Sequence, residues 1–271
     1  AITAQGQGTH LCVGDGPLEH PEAAVRVGVA HTARAQHRGG TLDRARALGI
    51  ALFETADSYA AGDMERRLGE RLKADDAARI VTKIGTDLDA PVPRKRFDAK
   101  YLEAAFDGSR KRLGRDVLDV ALLHNPSEDA IKAGAAADFM AGLVDAGKLR
   151  AWGVSAGSVE VARAAIAKGA QVLSLAVNVL ASSDVAALAT DIDQKEVGVL
   201  AHSVLAYGLL CGHWSADKVF ADNDHRAERW TSDELRRRLR QLDALRPAVG
   251  GPVLTLRSAA LRYVLHNRSV S

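Results

Sequence analysis

The sequence is short of aromatic residues, at 4%, and holds only two methionines and two cysteines. Cys12 and Cys211 lie far apart, which argues against a disulfide framework and fits a reducing cytoplasm. No apolar run reaches the roughly 18 residues of a membrane-spanning helix, so no membrane partner is expected. Ala1 to His10 is polar and lacks the charged-then-apolar pattern of a signal peptide. Charge of one sign is missing too: a net charge of +2 leaves no footprint for nucleic acid. His10, His20, His31 and His37 show no metal-ligand spacing, so no metal site is expected. Gly6-Gln-Gly8 and Gly14-Asp-Gly16 lack the strand and full spacing of a dinucleotide fingerprint and read as turns.

What is present is the balance of an ordinary globular protein, with 47% apolar and 26% charged residues in 271. Arginine far outnumbers lysine and alanine is abundant, a composition that points to a GC-rich bacterial genome. Apolar runs at Val27–His31, Ile50–Glu54, Arg79–Lys83, Val117–His124, Ala151–Ser155, Val172–Asn178 and Val197–Ser203 read as strands. Most are continuous rather than alternating, as parallel strands covered by helices require. Between them, Met64–Lys73, Ala99–Leu113, Ala130–Ala146, Val159–Lys168 and Val185–Gln194 read as helices, followed by Ser232–Leu245 and Val253–His266. Repeated β-then-α units over a length near the roughly 250 residues of an α/β barrel predict one domain, 1–271. The fold class is α/β, a (β/α)8 TIM barrel whose eighth strand and helix are missing or incomplete at the C-terminus. Residues 1–25 are expected to form a hairpin or loop at the barrel floor. The segments Gly85–Asp98 and Leu205–Thr231 are expected to be long loops at the C-terminal ends of strands, where barrel enzymes build their sites.

The chemistry-bearing residues gather at those same ends. Glu54 ends the second strand, Tyr59 follows five residues later, Lys83 ends the third strand and His124 the fourth. In a parallel barrel all four face one rim. A free tyrosine ionises near pH 10, too high for an efficient acid at neutral pH, and a neighbouring ammonium favours its phenolate. A carboxylate beside the lysine holds that ammonium charged. An imidazole can orient a substrate carbonyl. Any one of these alone reads as a solvated rim residue; their succession at adjacent strand ends is the signal.

These stretches resemble the aldo-keto reductase family. Gly49-Ile-Ala-Leu-Phe-Glu-Thr-Ala-Asp-Ser-Tyr59 is similar to its D-T-A-x-x-Y motif, and Ile80-Val-Thr-Lys83 to its lysine strand. Leu113-Gly-Arg-Asp-Val-Leu-Asp-Val-Ala-Leu-Leu-His124 is similar to its histidine segment. Gly142-Leu-Val-Asp-Ala-Gly-Lys-Leu-Arg-Ala-Trp-Gly-Val-Ser155 and Ser203-Val-Leu-Ala-Tyr-Gly-Leu-Leu-Cys-Gly212 are similar to two later segments. The resemblance implies an NADP(H)-dependent reductase of an aldehyde or ketone, with NADPH preferred and NADH as the alternative. Tyr59 would donate the proton, with Lys83 as its partner, His124 as the substrate orienter and Glu54 in the fourth place. Ser155, Ser174, Ser203 and Leu205 would contact the cofactor.

The sequence departs from the family at several places. Glu54 stands for aspartate and is one methylene longer, which shifts where its carboxylate meets Lys83. Ala156 stands for the asparagine that holds the nicotinamide amide, Ser174 for a glutamine, and His202 for a stacking aromatic. These departures motivate a second reading, a barrel of weakened cofactor affinity that binds or regulates. A third rests on Gly153-Val-Ser-Ala-Gly157, which matches a hydrolase nucleophile elbow at Ser155, with His37-Arg-Gly-Gly40 as oxyanion loop and His202, His213 or His225 as base. Trp214 and Trp230 read equally as pocket lining or as loop anchors. Arg236-Arg-Arg-Leu-Arg240 reads as a solvated helix face.

Overall fold

The computed structural model describes residues 9–11, 26–29, 38–221, 224 and 226–271. The expectations placed on the glycine turns before residue 20, on Cys12, His20, His31, His37 and His225, and on most of residues 1–25 fall outside the described residues.

The chain runs β1 (Thr9–Leu11), β2 (Arg26–Val29), α1 (Arg38–Ala47), β3 (Leu52–Glu54), α2 (Asp63–Leu72) and β4 (Arg79–Ile84). A short hairpin follows, β5 (Thr86–Asp87) and β6 (Arg94–Lys95), then α3 (Ala99–Leu113) and β7 (Leu118–His124). Next come α4 (Glu128–Lys132), α5 (Ala135–Asp145), β8 (Leu149–Ser155), α6 (Val159–Ala167), β9 (Val172–Ala176) and α7 (Ser183–Lys195). The last elements are β10 (Gly198–His202), α8 (Arg226–Arg229), α9 (Ser232–Leu245) and α10 (Leu256–Leu265). The main sheet has the order β1-β2-β3-β4-β7-β8-β9-β10; β1 is antiparallel to β2 and every other neighbouring pair is parallel.

The sheet curls, because residues on non-adjacent strands meet on its inner face. Leu200 of β10 packs with Val81 of β4 and Leu122 of β7, although β10 and β4 are four places apart in the sheet. Outside it, the larger core fills the space between strands and helices with Phe53, Ile80, Phe106, Leu118, Trp152 and Leu173 among others. The outcome is an incomplete (β/α)8 barrel. The edge of β10 away from β9 is met by Ser271, whose N–H donates to the Val199 carbonyl at 3.2 Å and whose hydroxyl accepts from the Val199 N–H at 2.9 Å.

Local chemistry explains where helices start and stop. Asp98, Ser158, Thr231 and Thr255 cap α3, α6, α9 and α10 by accepting a backbone N–H three residues on. On α3, Leu102, Phe106 and Leu113 are buried together, as their spacing predicts. The single helix expected over Ala130–Ala146 is instead α4 and α5, broken where Gly134 takes a φ of 88°. The expected loop Gly85–Asp98 holds the β5–β6 hairpin. The helix α1 was not anticipated, because only Leu42 and Ala45 among its residues bury apolar side chains.

Gly153 lets β8 and β9 approach closely: a Cβ there would lie 1.7 Å from the Val172 carbonyl oxygen. Gly157, just beyond the same strand, has nothing within 4 Å of such an atom. Gly153→Ala is therefore expected to lower stability by about 3 kcal/mol or more, and Gly157→Ala by less than about 0.5 kcal/mol. Urea midpoints of the two variants decide this; equal small shifts would contradict the close approach.

Candidate active site

The C-terminal ends of β3, β4, β7, β8 and β10 carry Glu54, Lys83, His124, Ser155 and His202, so the parallel sheet delivers them to one rim. After β3 the backbone keeps pairing with β4: the Thr55 and Asp57 N–H groups donate to the carbonyls of Val81 and Lys83 at 2.8 and 2.9 Å. A tight turn follows, with Ala60 and Ala61 at a φ of 50° and Gly62 at 83°. That turn folds Tyr59 back over the end of β4.

The central contact is an ion pair. Lys83 Nζ lies 2.7 Å from Glu54 Oε1, with side-chain exposures of 5% and 18%. The same ammonium donates to the Thr55 carbonyl at 2.9 Å and sits 5.0 Å from the centre of the Tyr59 ring. Burial works against the lysine charge, but the Glu54 carboxylate and Tyr59 outweigh it and hold its pKa above the ordinary value. The longer Glu54 thus reaches Lys83 directly. It also accepts a hydrogen bond at 3.4 Å from Ser174, four strands away across the barrel.

His124 faces Tyr59 edge-on, with ring centres 6.1 Å apart, and its Nδ1 shares a 3.5 Å hydrogen bond with Ser58 Oγ. Burial first, then the Lys95 and Lys83 ammoniums, push its pKa down to about 3, so the imidazole is neutral at physiological pH. His202 is likewise held below the usual range, chiefly by burial, and its Nδ1 shares a 3.0 Å hydrogen bond with Ser203 Oγ.

The structure thus brings Glu54, Tyr59, Lys83, His124 and Ser174 together. Ser155 is buried on the same rim and donates to the Asn125 carboxamide oxygen at 3.1 Å. Among the described residues no histidine accepts from it; its hydroxyl proton goes to Asn125 instead, and neither His202 nor His213 acts as a base there. Ser203 and Leu205 lie in the turn after β10, where Ser203, Ala206 and Tyr207 all have positive φ. Such strain in residues other than glycine concentrates at functional sites. Trp214 anchors its loop, with ring centres 5.0 Å from Phe220 and 6.2 Å from Trp230.

Sequence reasoning passed over Asp57, Asn125 and Lys95. Asp57 stands inside the quoted motif but carries no pattern of its own. It is buried, its Oδ1 has no hydrogen-bond partner, and its pKa is raised to about 7, by burial first and then by the Glu65 carboxylate. Arg112 and Lys95 act in the other direction. Glu65 itself is fully buried on α2, where it accepts from Thr82 Oγ1 of β4 at 2.5 Å and from Arg112 Nε of α3 at 2.6 Å. That network locks the helix that follows the Tyr59 turn.

Comparison with known proteins bears on the family and the fold. The profile of the Aldo/keto reductase family matches residues 28–271. The chain is a member of that family. It is 31% identical over 157 residues to methylglyoxal reductase YeaE of Escherichia coli, covering 57% of this chain and 46% of that one. It is 34% identical over 133 residues to a 6-dehydroglucose reductase of Agrobacterium fabrum, covering 44% and 43%. The chain therefore spans about half the length of the curated relatives it matches. Among solved structures, the glycerol dehydrogenase AKR11B4 from Gluconobacter oxydans superposes with a TM-score of 0.73 at 22% identity, covering 86% of this chain and 72% of that one. The holo form of aldo-keto reductase AKR11C1 from Bacillus halodurans gives 0.70 at 21%, covering 84% and 73%. At these identities the two structures bear on the fold alone.

The raised pKa of Asp57 has a signed consequence. A carboxyl whose pKa rises from 3.8 to about 7 on folding costs stability when it ionises. The cost grows as pH rises between those values and is complete above about 7. Asp57→Asn removes the ionisation and should stabilise the protein more at pH 8 than at pH 5, by a difference of about 2 kcal/mol. Urea denaturation at the two pH values reads this. The same shift at both would show that Asp57 ionises normally.

Proposed function

We propose that this chain forms the catalytic part of a nicotinamide-dependent carbonyl reductase, in which Tyr59 donates the proton that completes reduction of an aldehyde or ketone. The observation that carries the reading is the placement of Lys83: one buried ammonium touches Glu54 at 2.7 Å and lies under the Tyr59 ring, with neutral His124 beside them. The relatives named as reductases support carbonyl reduction.

The residues present fit the nicotinamide end of such a cofactor. The Ser155 and Ser203 hydroxyls and the Asn125 carboxamide on this rim can each donate and accept hydrogen bonds, which suits the carboxamide of a nicotinamide ring. Ser155, Ser203 and the backbone at Leu205 would hold it, with NADPH preferred over NADH on the family pattern. When bound, the cofactor supplies hydride to the carbonyl carbon. Ser174 acts through Glu54, which its hydroxyl orients. Glu54 keeps Lys83 charged and fixed. Lys83 stabilises negative charge on the Tyr59 oxygen once the proton has left. Neutral His124 can donate one hydrogen bond to the carbonyl oxygen, fixing its angle and polarising it. Tyr59 Oη delivers the proton to that oxygen, so hydride and proton together convert carbonyl to alcohol.

Tyr59→Phe keeps the ring and removes the proton. It is expected to lower kcat by about 10²- to 10⁴-fold while NADPH affinity changes less than about twofold. Nicotinamide fluorescence titration and steady-state kinetics of both proteins are the measurements. Turnover that survives Tyr59→Phe would remove Tyr59 from the reaction. Absence of NADPH and NADH binding in the folded wild type would favour the binding or regulatory reading instead.

A further inference from the structure

The β5–β6 hairpin rises from the strand that carries Lys83. Thr86 pairs with Lys95 and Asp87 with Arg94, which sets three consecutive cations, Arg94, Lys95 and Arg96, at the rim. Two of them are already matched. Arg94 and Arg96 lie 3.5 and 3.6 Å from Asp87 Oδ2; Arg96 also binds Asp98 at 2.6 Å and lies 5.0 Å from the centre of the Tyr101 ring. Lys95 is different. Its ammonium donates to the neutral Thr86 hydroxyl at 2.8 Å and makes no ion pair among the described residues.

Lys95 also acts electrostatically on the site. Its ammonium lowers the His124 pKa more than Lys83 does, and it acts on Asp57 as well. Burial of that ammonium holds its pKa below the ordinary lysine value, with Asp57 acting against the shift. The acids around it offer little compensation. Glu54 is committed to Lys83, Asp87 is flanked by two arginines, and Asp57 is driven toward its neutral form. Among the described residues the charge left unmatched on this hairpin is therefore positive, and it acts on the imidazole that would meet the substrate oxygen.

We propose that Lys95 is a specificity-determining residue that receives an anionic oxygen group, a carboxylate or a phosphate, on the carbonyl substrate. The proposal rests on the reductase reading of the same site. A neutral substrate leaves this ammonium with Thr86 and water. An anionic one gains a charge-assisted hydrogen bond to an ammonium whose only described partner is a neutral hydroxyl.

The test compares paired substrates with the wild type, Lys95→Ala and Lys95→Arg, all as full chains with NADPH. One pair is succinic semialdehyde and its methyl ester; the other is glyceraldehyde 3-phosphate and glyceraldehyde. The wild type is expected to favour the anionic member of at least one pair, and the favoured pair identifies carboxylate or phosphate. In Lys95→Ala the charged-to-neutral ratio of kcat/KM should fall about tenfold, mostly through KM, while Lys95→Arg retains most of it. A ratio unchanged in Lys95→Ala, or a wild type that favours both neutral members, overturns the proposal. If no pair is turned over, the reductase reading fails but Lys95 is still decided. Binding of succinate and of inorganic phosphate, followed by ligand-observed NMR, should then be lost in Lys95→Ala and kept in Lys95→Arg, and equal binding by all three proteins would sink it.

Discussion

The structure of the site depends on one ion pair held inside a curled sheet. Burial disfavours both the Glu54 carboxylate and the Lys83 ammonium, and a buried pair persists only with direct geometry and further hydrogen bonds. Here the pair closes to 2.7 Å, the Thr55 carbonyl accepts a second proton of Lys83, and Ser174 donates to the carboxylate. The first two contacts need only the neighbouring strands β3 and β4. The third comes from β9, and it exists only because the sheet bends far enough to bring β9 opposite β3. Curvature and chemistry are thus one constraint: the sheet that seats Leu200 against Val81 also brings Ser174 to Glu54.

That bond across the barrel gives a physical account of two departures from the family pattern. An acid longer by one methylene stands at 54, and a side chain shorter than glutamine stands at 174. In this chain the two side chains meet: the longer acid reaches the short hydroxyl of Ser174 at 3.4 Å and still pairs with Lys83 at 2.7 Å. The same reasoning applies on α2 and α3, where Glu65 and Arg112 close a buried gap that neither could close alone. The close approach of those helices is set by Gly69, where a Cβ would lie 2.5 Å from the Arg112 carbonyl oxygen.

What could be read beforehand was what leaves a periodic or ordered trace. Strands covered on both faces show as apolar runs, and β4, β7, β8, β9 and β10 lie within two residues of the runs that mark them. Residues at strand ends share a rim by topology alone, which is why Glu54, Lys83 and His124 were legible as a group. The turn that returns Tyr59 to them was legible only through the family motif. Three features left no trace. The break at Gly134 interrupts a stretch that is otherwise apolar and alanine-rich. The β5–β6 hairpin is built from two-residue strands, too short for alternation to show. Asp57 and Lys95 owe their character to burial and to each other, and neither property has a spacing.

Charge explains how the roles of the site are divided. Burial, with the Lys95 and Lys83 ammoniums acting in the same direction, removes the capacity of His124 to carry a proton at neutral pH. A cationic imidazole in that position would be a stronger acid than a phenol and would compete for the substrate oxygen. Kept neutral, His124 can orient that oxygen but not protonate it, which leaves Tyr59 as the proton source in the proposed reaction. Glu54 completes the division. By pairing with Lys83 it fixes the ammonium under the Tyr59 ring, where it can stabilise phenolate as the proton leaves. The two lysines therefore act in sequence along the site. The inner one serves the tyrosine, and the outer one, without an ion pair among the described residues, is the one proposed to meet an anionic substrate.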